Sequence, residues 1–213
     1  MTVTETNVPT HLARPTSDDG IPGGTVGSSP HGPSSVWEGE TIRLRPVEAD
    51  DWPAFAAWDH DDASSRASYL INFPRSAEGT RKWVEEAAGQ EYRGDRFRWV
   101  IARLDGTAAG TINTHACDAR NGTFSYGLAI GADHRGHGYA GQAIRLVPRF
   151  YFQELRYQKA TVYVYGFNEP SQRLHERLGF QVEGRLRRMI YSMGTYHDTL
   201  VYGLTAEEFA AGT

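Results

Sequence analysis

The residues best placed to do chemistry form one short run, Arg135-Gly136-His137-Gly138-Tyr139-Ala140. It lies between a strand-like segment, Thr123 to Ile130, and a long amphipathic segment, Gly138 to Leu155. Glycines at a strand-to-helix junction let bare backbone approach a ligand closely. The first turn of the helix then aims unpaired N–H groups and a partial positive charge at the same spot. Together these make a phosphate cradle that suits a pyrophosphate better than any neutral group. Arg135 adds a full positive charge beside it.

The run is not a Walker loop, because no Gly-Lys-Ser/Thr follows. It does contain a literal G-x-G-x-x-G in Gly136, Gly138 and Gly141. The context argues against a dinucleotide fold. Gly131 to Arg135 separate the strand from the first glycine, and an acid is wanted about 20 residues on. The nearest candidate, Glu169, lies 28 residues past Gly141. Too little chain follows for a second set of βαβ units.

The segment resembles the acyl-CoA signature of the GNAT superfamily of N-acyltransferases, Arg/Gln-x-x-Gly-x-Gly/Ala, as Arg135, Gly138 and Ala140. A second landmark follows in the right order. Lys159 to Tyr165 reads as a strand, Asn168 follows it, then the short helical run Ser171 to Leu178 and Gly179-Phe180. The likeness covers roughly residues 41–209. The closing pattern, Glu183 to Arg187 and then Gly194-Thr195-Tyr196-His197-Asp198, resembles the branch of ribosomal-protein N-terminal and polyamine acetyltransferases.

The resemblance implies an acetyl-CoA-dependent N-acetyltransferase. Its acceptor would be a primary amine of a small molecule or of a protein N-terminus, attacking the thioester directly. It implies that backbone groups of Leu128, Ala129 and Ile130 pair with the pantetheine arm of acetyl-CoA. The amides of Gly136, His137, Gly138, Tyr139 and Ala140 would hold the pyrophosphate, and Asn168 would reach the pantetheine. Asn168 also reads as a helix N-cap before Glu169 and Pro170, and the two roles are compatible.

The acid and base depart from the family pattern. Where the family carries a tyrosine seven residues past the asparagine, this chain has His175. Where the family carries a glutamate on the strand before the signature, it has Ser125. An imidazole can donate to a departing thiolate, whereas a serine cannot act alone as base at pH 7. A water chain, or His115 or Asp118 on the neighbouring strand and turn, could substitute as base. These departures leave a second reading, a non-catalytic acyl-CoA-binding sensor module. The link Asp59-His60-Asp61-Asp62 with Tyr69 to Phe73 mixes acids and aromatics, which suits a cationic amine.

Composition sets the frame. The chain of 213 residues is one domain with a tail, and 39% hydrophobic with 12% aromatic residues suffices for a core. A formal charge of −4 gives no basic footprint, so nucleic acid is not an expected partner. A single cysteine, Cys117, excludes an intrachain disulfide and a Cys-rich zinc site, and fits a cytoplasmic location. Scattered histidines give no metal-ligand spacing, so no metal is expected. No apolar run approaches the ~18 residues of a membrane helix, and the N-terminus lacks a signal-peptide pattern. Superfamily members often pair, so a homodimer stays open, with no motif here to show one.

Residues 1–36 hold half of the ten prolines and no aromatic, and read as a disordered or loosely docked tail. Order begins near Trp37, and residues 37–213 form the acetyltransferase-like domain. Thr41 to Pro46 alternates as a half-buried strand. Asp50 is a candidate cap for a first helix, and Ser76 for a second running to Gly89. Phe97 to Leu104 and Ala109 to His115 read as a hairpin through Asp105-Gly106, and Asn121-Gly122 turns the chain into Thr123 to Ile130. Gln181 to Ile190 and Tyr196 to Leu204 read as the last two strands. The expected fold is α+β, a mixed sheet of about seven mostly antiparallel strands. One parallel splayed pair sits at the signature, and helices flank the sheet.

Overall fold

The computed structural model describes residues 35–212, apart from 69, 70, 72 and 91–93. The tail expected over residues 1–36 therefore lies almost wholly outside the described residues, as does Tyr69. Trp37 is packed against Trp99 and Phe150, with ring centroids 5.3 and 4.4 Å apart.

Seven strands form one sheet. They are β1 (Ile42–Pro46), β2 (Arg98–Arg103), β3 (Ala108–Asp118), β4 (Thr123–Ile130), β5 (Lys159–Tyr165), β6 (Gln181–Ser192) and β7 (Thr195–Thr205), in the order β1-β2-β3-β4-β5-β7-β6. Every pairing is antiparallel except β4 with β5. A parallel pair needs a crossover. Helix α4 (Tyr139–Gln153) supplies it.

Strand alternation sorts the side chains onto two faces. On the first face Trp99, Ile101, Ile112, Phe124 and Tyr126 meet Ile144, Val147 and Tyr151 of α4 in the main core. Helix α5 (Glu169–Arg177) lies on the same face and adds Leu174 to that core. On the second face Val100 and Ala102 meet Phe55 and Val84. These come from α1 (Trp52–Asp59) and α3 (Ala77–Ala88). Pro148 stands buried inside α4, where it cannot bond to the Ile144 carbonyl.

Two local readings change. Ser76 caps α3 as expected, accepting from Gly79 N at 3.0 Å. Asp50, however, lies in a 3-10 turn, and the residue before α1 is Asp51. The Asp51 carboxylate is committed elsewhere, accepting from the Arg45 guanidinium at 2.6 and 2.8 Å and from Glu48 N at 2.8 Å. A further helix, α2 (Asp62–Ser68), occupies the segment read as a link. Its sequence, DASSRAS, carries no apolar stripe from which a helix could be read.

Asp51 is 8% exposed; burial pushes its pKa up, but the bonds from Arg45 and Glu48 together with the Arg45 charge hold it below its usual value. Asp51→Asn should cost about 1.5–3 kcal/mol, the range for hydrogen bonds to a charged group. At roughly 2–4 °C per kcal/mol for a chain of this size, a thermal melt shows it as a drop of several degrees. The stability due to this carboxylate is present above the unfolded pKa of about 3.9 and is lost as pH falls through the lower native value.

Candidate active site

The parallel pair is brief. Its register runs Thr123↔Lys159, Phe124↔Ala160, Ser125↔Thr161 and then ends. Beyond Ser125 the strands part, and Tyr126 to Ile130 line a cavity of about 400 Å³ instead of pairing with β5. Val162 to Val164 face it from the other strand, Asn168, Ser171 and His175 from α5, and Ala63, Ser64 and Ala67 from α2. The opening therefore passes between the two strands, with α5 on the first face of the sheet and α2 on the second. A strand edge left unpaired this way can take an extended ligand as if it were another strand.

The glycine turn follows a short 3-10 segment. After β4 a 3-10 turn over Ala132–His134 leads to Gly136 and to Gly138, the N-cap of α4. Both glycines have φ of +79°, and a Cβ built at either meets nothing within 4 Å. Backbone conformation, not crowding, thus demands glycine there. Crowding acts at Gly131, where a Cβ would lie 2.5 Å from Trp58 Nε1. This close approach sets the end of β4 against α1.

Arg135 lines the cavity, but its charge is already partnered. Its guanidinium pairs with Asp61, and its Nε donates to the Ile130 carbonyl at 3.3 Å. His137 Nδ1 lies 2.8 Å from the Arg135 carbonyl, and the His137 ring stacks on Tyr139 at 5.4 Å. Asn168 is the N-cap of α5, accepting from Ser171 N at 3.2 Å and donating to the Ala67 carbonyl at 3.1 Å. One side chain so joins α5 to α2 across the cavity.

His175 is 3% exposed, and its two nitrogens are assigned by their neighbours. Nδ1 lies 2.8 Å from the Ser171 carbonyl, which can only accept, so Nδ1 carries the hydrogen. Nε2 then accepts from the Tyr126 hydroxyl at 3.0 Å. Burial lowers the His175 pKa, partly opposed by the Ser171 bond, and the ring is neutral at pH 7. Burial also holds the Tyr126 phenol well above its usual range. Tyr126 has no counterpart in the sequence reading, where an aromatic at an inward strand position reads as core.

Ser125 and His115 face each other across β4 and β3, on the opposite sheet face from Tyr126. Ser125 is 6% exposed, whereas His115 is exposed at the bulge that ends the pairing. Partial burial of the ring, then Arg96, lower the His115 pKa. Asp118 caps the next turn, accepting from the amides of Arg120 and Asn121, and so is spent structurally. Two of the link's acids are also engaged, Asp59 with the Thr80 hydroxyl and Asp61 with Arg135. Cys117 is half-buried, its thiol directed at the Asp95 carbonyl, and burial raises its pKa. Among the described residues, no group of three or more His, Cys, Asp or Glu could hold a metal, and no helix is long and apolar enough to cross a membrane.

Residues 41–181 match the model of the GNAT acetyltransferase domain. The chain belongs to this family. A GNAT N-acetyltransferase thus accounts for the splayed strands and the glycine turn alike. The chain is 43% identical over 175 residues to an uncharacterized N-acetyltransferase, YokL, from a prophage of Bacillus subtilis, covering 82% of this chain and 96% of that one. It is 31% identical to the putative ribosomal N-acetyltransferase YdaF of the same organism, over 49% of this chain and 57% of that one. In fold it is similar to spermidine N-acetyltransferase from Vibrio cholerae, solved with CoA and spermine. The TM-score is 0.70 at 17% identity, covering 80% of this chain and 98% of that one. This GNAT acetyltransferase has the expected α+β fold, and the names of these last two relatives match the branch that its sequence resembles.

Proposed function

We propose that the protein transfers an acetyl group from acetyl-CoA to a primary amine of a small molecule or a protein N-terminus. One observation carries this reading. The unpaired edge of β4 from Tyr126 to Ile130 leads through the 3-10 turn at Ala132–His134 into the Gly136–Gly138 turn and the first turn of α4. An extended pantetheine chain and a pyrophosphate need those two things in that order. Leu128, Ala129 and Ile130 would hold the arm, and the backbone amides from Gly136 to Ala140 the pyrophosphate. Arg135, tied to Asp61, shapes the turn more than it binds phosphate. Asn168 holds the far wall by capping α5 and gripping α2.

In the reaction the amine nitrogen bonds to the thioester carbonyl carbon, the carbon–sulfur bond breaks, and the amine gives up a proton while the thiolate is stabilised or protonated. Ser125 and His115 stand on one face of the sheet and the Tyr126–His175 pair on the other. His115, its pKa lowered, is neutral at pH 7 and can accept a proton from the amine. Neither His115 nor Ser125 lines the cavity, so that proton reaches His115 through water. His175 has no N–H left for the cavity, so donation falls to Tyr126. Its hydrogen rests on His175 Nε2 and can swing to the departing sulfur. That exchanges a neutral hydrogen bond for a charge-assisted one, roughly twice as strong.

Thermal unfolding with saturating acetyl-CoA, CoA and NADH in parallel tests the cosubstrate. A ligand at 100 times its Kd stabilises by about 2.7 kcal/mol, so both CoA forms should raise the midpoint and NADH should not. A rise with NADH alone would overturn the reading. Release of free CoA in the presence of an amine panel then separates an enzyme from a sensor module that only binds acyl-CoA.

A further inference from the structure

A second cavity, of about 760 Å³, opens where β2, β3 and the end of α3 meet. Arg96, Arg98 and Asn113 line it. Arg98, Asn113 and Gly127 form one cross-strand row, in the registers Arg98↔Asn113 and Asn113↔Gly127. All three face the second side of the sheet, because Trp99, Ile112, Tyr126 and Leu128 belong to the core on the first. Neighbouring strands are about 4.8 Å apart, so Arg98 stands roughly 10 Å, two strand spacings, from the edge of the acetyl-transfer cleft. Gly127 puts no side chain in the way. A Cβ there would meet only Asn113 Oδ1, at 3.7 Å.

Arg98 is partly buried and has no carboxylate partner among the described residues. Its guanidinium lies over the Trp83 ring at 5.5 Å, and Arg75 lies over the same ring at 5.3 Å. The acid in the cavity wall, Asp95, accepts instead from the Tyr157 hydroxyl at 2.6 Å. Burial alone acts on Arg98 and pulls its pKa down. A guanidinium always stays charged and presents a planar fork of donors that matches a carboxylate or phosphonate. Left desolvated without a counter-ion, it is unfavourable until an anion arrives.

We propose that the amine acceptor carries an anionic group, carboxylate or phosphonate in type, which Arg98 binds while the amine reaches past Asn113 and Gly127 to the thioester. This rests on the acetyl-transfer reading above and narrows its substrate class. Two of the three acids in the link, Asp59 and Asp61, are already engaged by Thr80 and Arg135. Arg98, facing the open cavity, has no carboxylate partner among the described residues.

The test compares L-methionine, L-phenylalanine and 2-aminoethylphosphonate with methioninamide, phenylalaninamide and ethanolamine, and with spermidine. Acetylation rates and thermal midpoints are read for wild type, Arg98→Gln and Arg98→Lys. Wild type should favour at least one anionic amine over its uncharged counterpart by 10-fold or more. Arg98→Gln should bring that ratio near one, and Arg98→Lys should restore part of it. The change in ratio between proteins cancels differences in amine basicity. An unchanged midpoint rise with acetyl-CoA in Arg98→Gln shows an intact fold and cosubstrate site. The absence of that rise in wild type would instead sink the acetyl-transfer reading, leaving the anion-dependent midpoints to judge Arg98. Absence of any anionic preference in wild type, by rate or midpoint, would overturn the proposal. So would a preference that Arg98→Gln retains.

Discussion

Gly138→Val should eliminate the rise in unfolding midpoint that acetyl-CoA gives the wild-type protein. The site for Cβ is empty, so crowding at Cβ does not oppose the substitution. The backbone is what fails. Gly138 sits at φ +79°, a conformation that costs an L-residue about 1–2 kcal/mol and a β-branched residue more. The chain escapes by rotating the turn, which swings the first amides of α4 away from the point where they converge. Several hydrogen bonds to one pyrophosphate are then lost together, and affinity should fall by two orders of magnitude or more. Gly138→Asn is the control. Asparagine tolerates the left-handed region, and the space for it is open, so much of the binding should return. If valine binds acetyl-CoA as well as glycine does, the turn is not the cradle.

This contrast explains why the turn was legible in the sequence and other parts of the site were not. The requirements at Gly136 and Gly138 are local, a backbone conformation that few residue types satisfy, so they leave a mark in the chain itself. Strand alternation at Ile42 and Leu44 and the spacing of Ile144, Val147 and Tyr151 are local in the same sense. The pairing of Tyr126 with His175 joins residues 49 apart, and neither signals the other. On its strand Tyr126 looks like one more aromatic facing the core. Helix α2 is invisible for a related reason. Its place is set by tertiary links, Asn168 to the Ala67 carbonyl and Arg135 to Asp61, which override a sequence with no apolar face. Arg98 gives no warning either, since an arginine at the start of a strand reads as solvated. Only the fold turns it toward Trp83 and a cavity.

Tyr126→Phe should lower kcat by about 10²-fold, the cost of removing one donor aimed at developing charge. Acetyl-CoA binding should change little, because that hydroxyl meets the sulfur strongly only once it carries charge. A mutant with full turnover would refute the role of Tyr126. His175 acts through Tyr126 and so is a positioning residue, and its variants should separate from Tyr126→Phe in two ways. His175→Ala leaves the Tyr126 hydroxyl buried without its acceptor and opens a cavity, so stability falls along with kcat. His175→Gln restores an acceptor and should recover part of both. The sign of the pH dependence supplies an independent check. Burial lowers the native pKa of His175, so below about pH 6.5 the unfolded chain binds a proton that the folded chain refuses. Stability due to the neutral ring is full above that pH and declines as pH falls toward the native pKa. His175→Gln should flatten that part of the stability profile. A contribution from His175 that instead grows as pH falls would mean that His175 is protonated in the fold. Its Nε2 could then not accept from Tyr126, and the imidazolium itself would be the donor.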